Sequence, residues 1–161
     1  MSSSVLSSIL CQQLAEKLLQ KQWRLVTAES CTGGMIAAAC TDLAGSSQWF
    51  ECGFVTYSNQ AKQRDLGVDE DILIAHGAVS EATVKAMVKG AGRYGDVALA
   101  VSGIAGPGGA VEGKPVGTVW IAWGSANEQT AHCHHFAGDR AAIRQQTVAS
   151  AIQHLIEYLD K

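Results

Sequence analysis

The hydrophobic positions change period repeatedly along the chain, and these changes divide it into helices and strands in alternation. Leu6, Ile9, Leu10, Leu14 and Leu18 fall at helical spacing with Gln and Lys opposite, so residues 5–21 form an amphipathic helix that a preceding serine can cap. Arg24 to Glu29 (RLVTAE) reads as a short strand. It runs into Ser30-Cys31-Thr32-Gly33-Gly34 and a small-residue helix, Met35 to Leu43, which Gly45-Ser46-Ser47 ends. Phe50 to Tyr57 is aromatic and β-branched and makes a second strand. Short helices over 59–66 and 69–76 follow, then a longer one from a Ser80 cap to about Tyr94. Asp96 to Ser102 (DVALAVS) is continuously apolar, as in a strand covered on both faces.

A glycine-rich loop, Gly103 to Gly117, precedes strands at Thr118–Trp123 and Gln129–Phe136. Asp139 caps a last helix with Ile143, Thr147, Ala151, Leu155 and Leu159 on one face. There is no internal repeat, low-complexity tract or linker. The expected fold is one three-layer α/β/α domain over residues 1–161, with helices on both faces of a mixed, mostly parallel sheet.

Composition narrows the function classes. The 161 residues suffice for one domain with a real core, and a net charge of −3 gives no global attraction to nucleic acid. The five cysteines (Cys11, Cys31, Cys40, Cys52 and Cys133) are odd in number and form no CxxC, which argues for thiols in a reducing compartment. The start lacks the basic region and apolar run of a signal peptide, and no stretch approaches the roughly 20 apolar residues that cross a bilayer. A cytoplasmic protein without membrane or nucleic-acid partners is expected.

Several residues could carry chemistry. A strand that ends at Ser30 and turns through Gly33-Gly34 into a helix exposes the hydroxyl at a sheet edge, beside unpaired helix N–H groups that could hold an oxyanion. The alternative is that Ser30 or Thr32 is simply an N-cap. A serine needs a group to take its proton, and His, Lys and carboxylate are all candidates. Lys62 follows the second strand. If the first two strands are parallel neighbours, the Tyr57–Lys62 segment faces Ser30, and a desolvated lysine can act as base. A third parallel strand would bring Ser102-Gly103 and Gly106 to the same edge, either as a close backbone approach to substrate or as a plain turn.

Other patterns carry less. Gly108 to Lys114 fits the core of a P-loop, but Pro115 replaces the magnesium-binding hydroxyl and a strand follows, so triphosphate binding is rejected. His132 and His134 alternate with Cys133 and His135 across a strand, so at most two reach one metal and no metal site is expected. Arg140, at the start of the last helix, could hold a phosphate or be a solvated neighbour of the Asp139 cap.

Taken in order, these segments resemble the CinA C-terminal domain family. The resemblance runs through Thr27–Gly34, Gly45-Ser46-Ser47 with Trp49-Phe50, and Gly53–Asn59 with Ala61-Lys62. It continues in His76–Ser80, Ser102–Pro107, Lys114–Val119 and Gly138-Asp139-Arg140. A chain of this length is similar to the family's stand-alone nicotinamide-nucleotide amidases. That resemblance implies hydrolysis of nicotinamide mononucleotide to nicotinic acid mononucleotide and ammonia, in pyridine nucleotide salvage, with no cofactor or metal. It also implies Ser30 as nucleophile, Lys62 as base and Tyr57 as hydroxyl support. Thr32, Gly33, Gly34, Ser47, Ser102, Gly103, Gly106 and Arg140 are expected around the substrate, and a homo-oligomer such as a dimer is expected. Two alternatives stay open: a cysteine hydrolase built on Cys31 with a nearby histidine, and a non-catalytic nucleotide-binding or interaction module.

Overall fold

A carboxyl-terminal sheet edge is where the helix caps and strand ends of this chain meet, and the topology explains why. The computed structural model describes residues 1–161. Helix α1 (Ser3–Lys21) leads to β1 (Leu25–Glu29), α2 (Met35–Thr41), a 3-10 turn and β2 (Phe50–Val55). Helices α3 (Asn59–Leu66), α4 (Glu70–His76) and α5 (Glu81–Ala91) precede β3 (Val97–Gly103), β4 (Thr118–Gly124), β5 (Gln129–His135) and α6 (Arg140–Leu159). The sheet order is β2-β1-β3-β4-β5. β1 pairs in parallel with β2 and β3, whereas β4 is antiparallel to both β3 and β5. Four strands therefore run one way and β4 alone runs back.

Strand periodicity sorts the core. Leu25, Leu99, Val101 and Ile121 pack under α1, α2 and α6, with Leu14, Leu18, Ile36, Ile152 and Leu155. Val26, Ala28, Ala98 and Ala100 face the other side, with Leu66, Leu73, Val84 and Met87 of α3, α4 and α5. Each fully buried leucine contributes about 2 kcal/mol of hydrophobic stabilisation. All five residues of β1 are buried, as expected of a central strand covered on both faces. The caps read from sequence at Ser80 and Asp139 are present, accepting from Thr83 and Ala142 N–H groups, and Ser58 adds another by accepting from Ala61 N–H.

Among the boundaries that differ from the sequence reading, two have a clear physical cause. α5 stops at Ala91 and tightens into a 3-10 turn over Gly92–Tyr94, because Gly90 and Gly92 bring the chain directly against Leu66 and Ala126. β2 ends at Val55, not Tyr57. Thr56 N–H still donates to the Glu29 carbonyl at 2.9 Å, but the Thr56 and Tyr57 carbonyls turn inward. No helix is long and apolar enough to cross a membrane.

Candidate active site

The carboxyl ends of β1, β2, β3 and β5 share one sheet edge, the usual place for a ligand crevice in such sheets. Ser30 follows β1 directly, with its N–H held by the Val101 carbonyl at 3.2 Å. The chain must then reverse sharply into α2, which it does through Gly33 (φ 60°) and Gly34 (φ 107°), a left-handed conformation that favours glycine. Lys62 reaches the same point from α3. Its Nζ lies 2.9 Å from Ser30 Oγ, 2.7 Å from the Thr56 carbonyl and 3.4 Å from the Tyr57 carbonyl. Ser30 is 8% exposed and Lys62 only 1%. Desolvation disfavours the charged amine and lowers the Lys62 pKa to about 8. A buried amine on a serine hydroxyl, losing its proton near neutral pH, is the arrangement a lysine base requires.

Backbone donors flank this pair. The Ser30 carbonyl accepts from Gly33 N–H at 3.1 Å, and the Thr32 carbonyl accepts from Met35 N–H at 3.1 Å. Arg144 of α6 donates Nε to the Cys31 carbonyl (3.1 Å) and Nη2 to the Thr32 carbonyl (3.2 Å). The Cys31 and Thr32 N–H groups themselves take no protein acceptor, although both residues are buried. Unpaired buried N–H groups are rare, and these two lie beside the Ser30 hydroxyl, where a bound oxygen acceptor could satisfy them.

Glu29 is fully buried and braces the turn from beneath. One oxygen accepts from Thr32 Oγ1 (2.6 Å) and Ile36 N–H (2.9 Å), the other from Ala37 N–H (3.0 Å). The carboxylate thus caps α2 where glycine at the N-cap supplies no side chain. Burial pushes the Cys31 thiol up to about 11, so it stays protonated at neutral pH, and no histidine hydrogen-bonds it.

The other residues expected at the site sort into three groups. Arg140 arrives at this edge because β5 ends here; Nη1 donates to the Gly106 carbonyl (2.8 Å) and Nη2 to Tyr57 Oη (3.2 Å). Tyr57 is exposed, and its hydroxyl lies on Arg140, not between Ser30 and Lys62. The Lys62–Ser30 bond is direct and leaves no gap for a phenol relay. Gly103 and Gly106 do line the edge, yet their lack of a side chain serves packing. A Cβ on Gly103 would lie 2.6 Å from Val119 Cγ2, and one on Gly106 2.5 Å from Val116 Cγ1. Ser102 precedes Gly103 at the end of β3, buried and paired with Trp120 across the ladder.

Ser47 is not brought to this edge. It sits in the 3-10 turn before β2, where its carbonyl accepts from Arg24 Nη1 at 3.1 Å. A five-residue strand separates the two ends of β1, about 16 Å at the usual rise.

The motifs set aside in the sequence lie elsewhere. The segment after Lys114 enters β4, not a helix, and Lys114 Nζ donates to the His76 carbonyl at 2.8 Å. His134 Nε2 meets His154 Nε2 at 2.8 Å with the His132 ring tilted against both, while Cys133 and His135 contact each other across the strand's other face. His154 is 14 residues along α6 from Arg140, about 21 Å at helical rise. A cavity of about 350 Å³ between α1, α2 and α6 is lined by Ser3, Ser7, Cys11 and Asp42 among others, and touches neither Ser30 nor Lys62.

Fold and site together describe an α/β/α protein with a buried serine–lysine pair at the strand-carboxyl edge. The family model for the CinA C-terminal domain matches residues 8–159, and the chain belongs to that family. It is 49% identical over 150 residues to nicotinamide-nucleotide amidohydrolase PncC of Pseudomonas putida, covering 92% of this chain and 94% of that one. It is 50% identical over 149 residues to the protein of the same name from Escherichia coli K12, covering 91% and 90%. Among solved structures, competence damage-inducible protein A (ComA) of Klebsiella pneumoniae superposes with a TM-score of 0.92 at 40% identity, over 96% of this chain and 97% of that one.

Proposed function

We propose that this chain is an amidohydrolase that converts nicotinamide mononucleotide to nicotinic acid mononucleotide and ammonia, with Ser30 as nucleophile and Lys62 as base. The observation that carries the reading is the 2.9 Å bond between Lys62 Nζ and Ser30 Oγ, both buried, in a chain about half identical to nicotinamide-nucleotide amidohydrolases over nearly its full length.

Neutral Lys62 takes the Ser30 proton as Oγ attacks the carboxamide carbon. The tetrahedral oxyanion is met by the Cys31 and Thr32 N–H groups. Collapse breaks the C–N bond, and Lys62 returns the proton to the leaving nitrogen, so ammonia departs and an acyl-serine remains. A water then gives one proton to Lys62 and its hydroxyl to the acyl carbon; Lys62 reprotonates Ser30 as the acyl C–O bond breaks, and the acid product gives its remaining proton to solvent. The pyridinium charge makes the carboxamide carbon more electrophilic. Arg140, at an exposed helix start beside Tyr57, is suited to the 5′-phosphate. Release of ammonia from the mononucleotide places the enzyme in pyridine nucleotide salvage.

The test is ammonia release from nicotinamide mononucleotide compared with nicotinamide, the riboside and the dinucleotide, by the wild type and Ser30→Ala. Turnover confined to the mononucleotide, falling at least ~10³-fold in a folded Ser30→Ala protein, is expected. Binding without ammonia release would make the chain a nucleotide-binding module. Activity within tenfold of wild type in Ser30→Ala would remove Ser30 from the chemistry.

A further inference from the structure

We infer that Arg144 is the positioning residue of the oxyanion site: it fixes the two carbonyls behind the nucleophile turn so that the free N–H groups face the reacting carbon. The inference rests on the serine–lysine reading of this edge and adds a residue that makes no contact with Ser30 Oγ or Lys62.

The argument starts from peptide planarity. In a trans peptide the C=O and the following N–H point in opposite directions. Arg144 Nε binds the Cys31 carbonyl, so the Thr32 N–H of that same peptide is turned away from α6. α6 packs on the sheet face opposite the one holding Leu66 of α3, the helix that carries Lys62. Turning the Thr32 N–H away from α6 therefore turns it to the side from which Lys62 meets Ser30. The Ser30 carbonyl is likewise fixed, by Gly33 N–H, which orients the Cys31 N–H. Arg144 Nη2 then secures the Thr32 carbonyl, which it shares with Met35 N–H at the start of α2.

Three further observations make the contact more than incidental. The guanidinium binds two successive carbonyls, a fork that lysine cannot reproduce. It lies against Gly33, where a Cβ would stand 3.5 Å from Nη2 and where φ is 60°. Glu29 holds the same turn from the other end through Thr32 Oγ1. The turn is thus clamped between a buried carboxylate on one strand end and an arginine from a helix more than a hundred residues away in sequence. Neither clamp touches the reacting atoms. Their effect is to remove the freedom of the Cys31–Thr32 peptide before substrate arrives, which is where preorganised donors gain over water.

The experiment compares Arg144→Met and Arg144→Lys with the wild type in three measurements. Thermal unfolding establishes that each variant is folded at the assay temperature. Ammonia release gives kcat and KM for nicotinamide mononucleotide. Titration of the mononucleotide into Ser30→Ala, with and without Arg144→Met, gives Kd without turnover. A misaligned donor should lose much of the ~10²–10³-fold that removal of one costs, so kcat is expected to fall at least ~30-fold in Arg144→Met. KM and Kd should stay within about threefold, because an interaction made in the transition state is not paid out in ground-state binding. Arg144→Lys, with a compact ammonium in place of the planar fork, should recover only a small part of kcat. A kcat within threefold of wild type in a folded Arg144→Met protein overturns the inference. So does a loss that appears equally in Kd, which would make Arg144 a binding or purely structural residue.

A fourth measurement separates this inference from the substrate assignment. A fluorophosphonate probe is attacked by Ser30 with expulsion of fluoride, and its phosphoryl oxygen needs the same N–H donors whatever the natural substrate is. Slower Ser30 labelling in Arg144→Met, read by mass spectrometry, supports the inference even if the mononucleotide proves a poor substrate. Labelling at the wild-type rate overturns it even if the mononucleotide is turned over.

Discussion

If Lys62 is the base, its protonation must show in the pH dependence of kcat/KM. An ordinary lysine with a pKa of 10.5 is neutral in roughly one molecule in 3000 at pH 7, whereas at about 8 the neutral fraction is about one in ten. Burial of the amine thus raises the competent population ~300-fold, equivalent to about 3 kcal/mol. Because kcat/KM reports the free enzyme, it should rise about tenfold per pH unit between pH 6 and 7.5 and level off above about 8.5. The linked stability has a definite sign. The folded pKa lies below the unfolded one, so between about pH 8 and 10.5 the unfolded chain binds more protons and stability rises with pH.

Lys62→Met should abolish that rise and cut kcat/KM at least ~10³-fold. At pH 7 its fold should stand. Relief of the buried charge is offset by the loss of three hydrogen bonds to Thr56, Tyr57 and Ser30, each worth about 1 kcal/mol. Lys62→Arg should fail nearly as badly, since a guanidinium keeps its proton. The assay is initial-rate ammonia release across pH 6–9.5, with urea unfolding over pH 7–11. A kcat/KM that is flat from pH 6 to 9, or a Lys62→Arg enzyme with most of its activity, would refute the reasoning.

Two more outcomes follow from the same geometry. Cys31→Ala should keep kcat/KM within about threefold, since the thiol is buried and protonated and only the Cys31 backbone is engaged; a loss beyond ~10²-fold in a folded protein would reinstate a cysteine nucleophile. Arg140→Ala should raise KM for the mononucleotide about ten- to a hundredfold while scarcely changing the poor turnover of the riboside, as expected for loss of ~1.5–3 kcal/mol of charged hydrogen bonding. Equal losses on both substrates would mean that its bonds to Gly106 and Tyr57 are what the enzyme needs.

Elements whose signal is local were legible in the sequence. β1, α3, α4 and β4 fall at or within a residue or two of the spans that periodicity and caps predict, because a strand's alternation and a serine or aspartate cap act over a few residues. The meeting of Ser30 with Lys62 was legible only conditionally, through the assumption that β1 and β2 are parallel neighbours, which the ladder bears out. What sequence could not weigh was competition for the same group. Gly103 and Gly106 read either as a close backbone approach to substrate or as a plain turn, and the structure packs Val119 and Val116 where their side chains would be. Ser47 belongs to a motif shared with the family, yet a loop that precedes a parallel strand lies at the end opposite Ser30. Glu29, Thr56 and Arg144 were passed over. Arg144 alone carried a usable signal, its spacing of four from Arg140, which places both guanidinium groups on one face of α6.

The choice of base illustrates how geometry decides among residues that composition leaves equal. A serine needs a proton acceptor, and histidine, carboxylate and lysine were all available within the chain. His132, His134 and His154 are engaged with one another, His135 contacts Thr118 and Cys133, and none of them hydrogen-bonds Ser30. Glu29 adjoins Ser30 in sequence, and its closeness would suggest it first. Yet both its oxygens are already committed to Thr32 Oγ1 and two α2 amides, and it points under the sheet into the helix it caps. Using it as a base would require releasing the start of α2, which also sets the path of the oxyanion donors. Lys62 has no such second duty. Its acceptors are two carbonyls and the serine itself, and it is buried without a carboxylate partner, so nothing holds its proton once the serine needs a base. The acidic side chain beside Ser30 is thus spent on holding the turn, and only Lys62, without a carboxylate partner, meets the serine hydroxyl.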